Sequence, residues 1–91
     1  MNAAQLFERA QDGDESVLDS AFEAVAICSR FHSTEVADAI AERWLWGTGW
    51  KVVAFQLGLS VNATVDRCHR AFEWMDRNCE IGPDGTRYTG V

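Results

Sequence analysis

Residues 50–72, WKVVAFQLGLSVNATVDRCHRAF, decide the fold of this chain. Five of their positions follow the spacing of a helix-turn-helix: Ala54, Leu57, Gly58, Leu59 and Ser60. The alanine lets a second helix cross closely, the first leucine anchors the first helix, and the glycine suits a left-handed turn. The second leucine fills the core below the turn, and the serine caps the next helix. The string predicts a helix-turn-helix over residues 50–79, although an ordinary helix hairpin in a bundle satisfies the same spacing.

The positions of proline and glycine in the remaining chain also predict helices. Pro83 is the single proline, and the glycines leave long unbroken stretches before residue 80. The fold class is accordingly all-α, with four to five short helices, a helix-turn-helix motif and an irregular C-terminal tail. Residues 82–85, GPDG, predict a turn in that tail, which leaves room for a small hairpin with residues 86–88.

Two expectations concern how the N-terminal helices pack. The first helix, over residues 3–11, has Leu6 and Phe7 as its one apolar pair and is expected to pack loosely or fray. The second, from Ser16 to about residue 31, is expected to start with a cap from that serine. Almost every position from its middle onward is apolar, and Phe22 falls on the same side. We therefore expect the second helix to be the most buried.

Length and charge limit the classes of function. A chain of 91 residues suits one domain, which we divide into acidic N-terminal helices (1–47), the helix-turn-helix (50–79) and a turn with a tail (80–91). The formal net charge of −6 argues against a protein that coats nucleic acid or anionic membrane by bulk charge. Residues 1–49 hold three arginines and nine acidic residues, whereas the predicted helix-turn-helix carries a net charge of +1. Any DNA binding must come from a local basic face.

Cysteine usage and the absence of long apolar runs indicate the compartment. No apolar run approaches the ~20 residues that span a bilayer, and the first residues lack a basic segment followed by an apolar one. The three cysteines have no paired CxxC spacing, which suits reduced thiols. We expect a cytoplasmic protein.

The helix-turn-helix region resembles several families of DNA-binding proteins. Residues 57–62, LGLSVN, followed by residues 67–71, RCHRA, resemble the DNA-reading fourth region of sigma factors and the related domains of LuxR-type regulators. Residues 62–65, with the His69–Arg70 pair, also resemble the short helix-turn-helix of GcrA-type regulators. The arrangement from Trp44 to Trp74 is similar to small bacteriophage regulators of the antiterminator Q kind. The resemblance covers about a third of the chain.

The chain departs from the sigma pattern at the start of the second helix of the motif. Where that pattern has Thr then Val, this chain has Ala63 then Thr64, and the apolar Val65 and Cys68 come one residue late. Either the turn is one residue longer here or the helix is rotated. The two alternatives give different side chains the role of reading bases.

A helical projection of residues 61–79 separates an apolar face from arginines. With about 100° per residue, Val61, Cys68, Phe72, Met75 and Cys79 form the first face, and the arginines lie opposite with Trp74 among them. The guanidinium of arginine donates paired hydrogen bonds to phosphates and to guanine edges. The tryptophan ring offers a surface on which a base can stack. The expected DNA-binding residues are Lys51, Asn62, Arg67, His69, Arg70 and Arg77. The competing interpretation is a solvated surface, with Asp66–Arg70 and Glu73–Arg77 spaced for helical ion pairs.

From these observations we expect a small DNA-binding transcription regulator, phage- or mobile-element-encoded, that acts at promoters and is not an enzyme. The sigma and antiterminator resemblance implies weak affinity for double-stranded DNA, raised by homodimerisation or by docking on RNA polymerase. No cofactor is expected.

The alternative function is an acidic phage-type protein-binding inhibitor or adaptor that targets RNA polymerase or a nucleic-acid-binding effector without binding DNA. Its expected contact residues are Asp12, Asp14, Glu15, Asp19 and Trp46. Trp44 continues the apolar stripe of its helix and is expected in the core, whereas Trp46 points elsewhere. An exposed tryptophan favours a protein contact, and packing against the helix-turn-helix is the structural alternative.

A zinc site from Cys28, His32, Cys68 and His69 is geometrically conceivable but not expected. The cysteines fall on apolar helix faces, where free Cys behaves as a small hydrophobe, and no CxxC or HxxxH accompanies them. The acidic loop of Asp12, Asp14 and Glu15 lacks the ordered oxygen series of a calcium site. We expect no metal.

Overall fold

The computed structural model describes residues 1–81 and 88–90. Within these residues five α-helices follow one another: α1 (Ala3–Gln11), α2 (Leu18–Phe31), α3 (Thr34–Ile40), α4 (Trp50–Leu57) and α5 (Val61–Asn78). A 3-10 turn (Glu15–Val17) precedes α2, and a π-helical turn (Ala41–Leu45) continues α3. Two short antiparallel strands follow, β1 (Cys79–Ile81) and β2 (Tyr88–Gly90). The all-α prediction is confirmed, and α4 and α5 form the helix-turn-helix.

The first helix is firmly packed, so the prediction that it packs loosely or frays is wrong. Leu6 and Phe7 are fully buried in the main core. The Asn2 side chain accepts a hydrogen bond from Gln5 N (2.8 Å), and the Gln5 side chain accepts one from Asn2 N (3.0 Å). The Asp76 carboxylate on α5 accepts a third, from Ala3 N at 2.7 Å. A carboxylate from a distant helix therefore completes the cap of α1, which the local sequence does not reveal.

An aromatic cluster joins α1 to the π-helical turn and to α5. The rings of Phe7 and Phe72 stack with centroids 5.3 Å apart. The ring of Trp44 meets both edge-on, at 6.5 Å from Phe7 and 4.9 Å from Phe72. Trp50, the first residue of α4, meets Trp44 at 5.4 Å. The prediction that Trp44 belongs to the core is confirmed, because it packs against residues that are almost completely buried.

The second helix is not the most buried one, contrary to the prediction. Phe22 and Phe31 are about half exposed, at 48% and 49%. The residues of α2 that are buried are small: Ser20, Ala21, Ala24 and Cys28. The stripe that α2 turns inward is therefore narrow and allows neighbouring helices to approach closely, while its larger side chains stay at the periphery.

The cap before α2 also differs from the prediction. Asp14, not Ser16, caps the 3-10 turn that leads into α2, and its carboxylate accepts hydrogen bonds from Ser16 Oγ (2.6 Å) and Ser16 N (3.0 Å). These two bonds lower the pKa of Asp14. The chain forms one extra turn before α2 because an aspartate supplies the acceptor earlier than the serine does.

The turn between α4 and α5 has the predicted form. Gly58 adopts a left-handed conformation with φ of 68°. Its N–H donates to the Phe55 carbonyl (3.1 Å), and the N–H of Leu59 donates to the Ala54 carbonyl (3.0 Å), which is a Schellman motif. Ser60 then caps α5, since its Oγ accepts from Ala63 N at 3.1 Å. The two helices are thus joined by a turn whose backbone groups are satisfied.

The burial of Thr64 shows which side of α5 packs against the core. It is fully buried, and its hydroxyl donates to the Ser60 carbonyl at 2.8 Å, which removes the cost of burying a polar group. Val65 is only partly buried and Val61 is 36% exposed. At the start of α5 the buried position is therefore Thr64 and not the apolar residue that follows it.

The C-terminal segment contains the two paired strands β1 and β2, a pairing that the sequence left open. Cys79 pairs with Gly90, Glu80 with Thr89 and Ile81 with Tyr88. This ladder satisfies backbone groups that an irregular tail leaves to water. The predicted turn over residues 82–85 lies outside the described residues. None of the helices in the described ranges has the length and apolarity needed to cross a bilayer.

We expect Phe7→Ala to lower the free energy of unfolding by about 3–5 kcal/mol, because it empties the centre of the aromatic cluster. Phe55→Ala is the matched control, since Phe55 is 86% exposed, and its effect should stay within about 0.5 kcal/mol. Urea unfolding followed by circular dichroism measures both. Equal effects of the two variants would show that α1 does not belong to the core.

Gly58→Ala should lower the free energy of unfolding by about 1–2 kcal/mol, because a residue with a Cβ pays that much to adopt a left-handed conformation. No atom lies within 4 Å of a Cβ built there, so the loss comes from the backbone alone. Gly49→Ala is the control: its site is equally open, and its φ of −66° suits any residue. A Gly49→Ala loss as large as that of Gly58→Ala would contradict this account of the turn.

Candidate nucleic-acid interface

The outward face of α5 is defined by what the same helix buries. Its buried residues are Thr64, Cys68, Ala71, Phe72 and Met75. On the opposite side the exposed residues are Asn62, Asp66, His69, Arg70, Glu73 and Arg77. Five of the six predicted DNA-binding residues belong to α5, and all five are exposed. The sixth, Lys51, is exposed in the first turn of α4.

The solvent face of α5 carries acidic side chains beside its arginines. Thr64 and Ala71 are fully buried, so the core face of the helix is centred closer to them than to Val65. The solvent face shifts by the same amount, and it brings Asp66 and Glu73 among the arginines. Hydropathy alone could not place the face correctly, because Thr64 is buried only through its hydrogen bond to Ser60.

The ion pairs predicted along α5 form in part. Asp66 Oδ2 lies 3.0 Å from Arg70 Nε, as the spacing of four residues predicted. Both side chains remain more than half exposed, so this pair adds at most about 1 kcal/mol to stability. Glu73 and Arg77, although both lie in the described part of the chain, do not approach within 4.0 Å. The effect on function is larger, because Asp66 partly neutralises Arg70.

The candidate DNA contacts divide into two groups along the helix. Asn62, Arg67 and Arg70 lie within the first ten residues of α5, near the helix start that contacts bases in helix-turn-helix proteins. Arg77 lies fifteen residues beyond Asn62, or about 22 Å along the axis, in the last turn of the helix. The structure therefore separates Arg77 from the others.

Two aromatic contacts change the expected roles of neighbouring side chains. Trp74 is half-buried and packs on the His32 ring, with centroids 5.3 Å apart, so it is not a free stacking surface for bases. His69 is exposed but leans edge-on against Phe72 at 6.0 Å. His69 thus remains accessible to a ligand, whereas Trp74 serves the contact between α2 and α5.

The acidic residues expected to contact a protein are not among those that line a groove together with Trp46. Asp12, Asp14, Glu15 and Asp19 lie in or beside the connection between α1 and α2. Trp46 is 63% exposed, as one of the two alternatives required, and meets Phe22 edge-on at 6.0 Å. Its acidic neighbours are three carboxylates of the α3 segment that sequence reasoning missed: Glu35, Asp38 and Glu42. Their spacing of three and four residues was the available pattern.

These carboxylates line an open groove of about 540 Å³ between α3 and α4. Ala39, Ala41, Trp46, Val53, Gln56 and Leu57 complete its lining. Glu42 is held in place, since its Oε2 accepts a hydrogen bond from Thr48 Oγ1 at 2.7 Å. We name this feature the acidic groove. It lies beside the helix-turn-helix, because α4 contributes one of its walls.

Two of the three cysteines are buried thiols. Cys28 and Cys68 are fully buried, and burial raises the pKa of Cys28 to about 11 and that of Cys68 to about 12. Cys79 is partly exposed. No three His, Cys, Asp or Glu side chains converge on a common point anywhere in residues 1–81 and 88–90. The imidazoles of His32 and His69 pack against the rings of Trp74 and Phe72.

Thiol accessibility provides a test of this core. At pH 8, one thiol of the native protein should react quickly with Ellman's reagent, and Cys79→Ser should remove that phase. A pKa of about 11 leaves Cys28 about a hundredfold less thiolate than an ordinary Cys at this pH, in addition to its burial. All three thiols should react once the chain is unfolded in guanidinium. Fast reaction of two or more native thiols would contradict the packing of α2 against α5.

Comparison with known proteins gives no relative on which these surfaces can be mapped. No family model matches the chain, and no curated protein and no solved structure matches it either.

Proposed function

We propose that this chain is a small DNA-binding transcription regulator that uses α5 as its recognition helix. The first ten residues of α5 carry the contacts, with Asn62 and Arg67 directed to bases or phosphates and Arg70 to phosphate. Lys51, in the first turn of α4, adds a phosphate contact beside them. This assignment agrees with the resemblance of residues 44–76 to sigma-type and phage regulators.

The observation that carries this proposal is the combination of the turn and the exposed helix start. The Schellman turn at Gly58 and the cap at Ser60 hold α5 at a defined angle to α4. No acidic side chain occurs in the first turn of α5, and Asn62 there is exposed. An exposed, uncharged polar side chain at the start of the second helix, with no carboxylate beside it, is free to approach a base edge or a phosphate, as the helix start does in helix-turn-helix proteins.

Electrostatics sets the strength of the proposed binding. The whole chain has a formal net charge of −6, and Asp66 lies within 3.0 Å of Arg70 on the recognition helix. Both features oppose phosphate binding, so one copy acting alone binds DNA weakly and in a strongly salt-dependent manner. Tight binding then requires a second contact, from a homodimer or from a partner protein on the same DNA.

The test is fluorescence anisotropy of labelled duplex DNA at low and moderate salt. Arg67→Ala should weaken binding about tenfold and reduce the dependence on salt concentration. Asp66→Asn should strengthen binding severalfold, because it removes a negative charge and frees Arg70. Arg30→Ala is the matched control: it removes one exposed cation from α2, which is not part of the helix-turn-helix, and should leave affinity within about twofold.

Two results would overturn the proposal. The first is an absence of salt-sensitive binding at low salt by a protein whose circular dichroism shows it to be folded. The second is a loss of affinity in Arg30→Ala equal to that in Arg67→Ala, which would mean that DNA responds only to total charge.

A further inference from the structure

The acidic groove between α3 and α4 is a second surface, separate from the proposed DNA-reading face of α5. It combines charge, apolar contact area and an exposed aromatic residue in one concave feature. We propose that it binds a basic, amphipathic α-helical segment of a partner protein. This inference goes beyond the proposed function, because it concerns a different face and requires no DNA.

The charge of the groove is uncompensated. Glu35, Asp38 and Glu42 line it, and none of them forms an ion pair with a cation in the described part of the chain. The lining contains no lysine or arginine. Thr48 holds one oxygen of Glu42 without removing its charge. An occupant must therefore bring positive charge to this wall.

The remainder of the groove supplies contact area for apolar side chains. Leu57 on α4 and Ala41 on the π-helical turn are partly exposed and line it, next to the fully buried Val53. Trp46 lines it with 63% of its surface exposed, and half-exposed Phe22 extends the aromatic area. Exposed tryptophan beside a concave apolar surface is typical of the centre of a protein interface. The volume of about 540 Å³ lies in the range of ligand and peptide sites.

The spacing of the carboxylates specifies the occupant. From Glu35 to Glu42 is seven residues, or about 10 Å along the axis, with Asp38 between them. A partner helix that carries cations at positions i, i+3 or i+4, and i+7 presents the same spacing on one face. Arginine suits the site best, because its guanidinium forks onto carboxylates and stacks on the face of Trp46. Leucines on the adjoining face of that helix would meet Leu57 and Ala41.

Other occupants match the groove less well. DNA is repelled by three uncompensated carboxylates. A second copy of this chain that offered α5 would bring Asp66 and Glu73, which lie among its arginines, toward the carboxylates of the groove. A separate basic helix has no such conflict.

The experiment uses the full chain and a fluorescein-labelled peptide of about 18 residues, long enough for helix to form. The peptide is built of Ala, Leu and Arg, with Arg at i, i+3 and i+7 and Leu beside them. The groove variant is Glu35→Gln with Asp38→Asn and Glu42→Gln. The control variant is Asp12→Asn with Glu15→Gln and Asp19→Asn, which removes the same amount of charge from the connection between α1 and α2.

We expect the groove variant to bind the peptide about tenfold more weakly than the wild type, and the control variant to stay within about twofold. Trp46→Ala should weaken binding by a similar factor without any change of charge. A peptide of the same composition with its arginines scattered around the helix should bind about tenfold more weakly. Circular dichroism establishes that each variant is folded.

Equal weakening in the groove and control variants, or equal binding of the patterned and scattered peptides, would show attraction to bulk charge and overturn the proposal. So would failure of the folded wild type to bind the peptide at low salt. Sedimentation without peptide tests the second copy: a dimer that the groove variant abolishes would assign the groove to self-association instead. Because no DNA is present, these results are independent of the DNA-binding test.

Discussion

The stack of Phe7 on Phe72 is the contact on which the rest of the structure depends. A chain of 91 residues has little volume for a core, and α2 contributes mostly small side chains to it. The aromatic cluster supplies the large apolar surface that α2 lacks and connects three segments that are far apart in sequence: α1, the π-helical turn and α5. The hydrogen bond from Ala3 N to Asp76 reinforces the same contact at its polar edge. The helix-turn-helix is thereby part of the core.

Once α5 is held by this cluster, its outward face is determined. Phe72 must point to Phe7, and one turn on either side Cys68 and Met75 point inward with it. Thr64 follows at the start of the helix and is accommodated through its bond to Ser60. The exposed side of α5 is then a mixture of arginine and carboxylate side chains, which implies modest DNA affinity for the regulator we propose.

The two proposed surfaces share α4. This helix is the first half of the helix-turn-helix, and its buried Val53 and its Leu57 form one wall of the acidic groove. A basic partner helix in the groove would lie next to the DNA-reading unit and shield its carboxylates from phosphate. For the regulator we propose, such an arrangement would supply the second contact that weak DNA binding requires, and it would account for the acidity of the chain as a whole.

The local sequence determined every feature that depends on neighbouring residues. The helix boundaries, the left-handed Gly58, the caps at Ser33 and Ser60 and the Asp66–Arg70 pair all follow from interactions within about five positions. Only the tertiary structure decided what depends on distant partners. Asp76 and Phe72 stabilise the packing of α1, which has only one apolar pair of its own. Trp44 packs against the core through its contact with Phe7. The acidic groove exists because α4 packs alongside α3. The sequence of either helix alone does not predict which other helix forms the opposite wall.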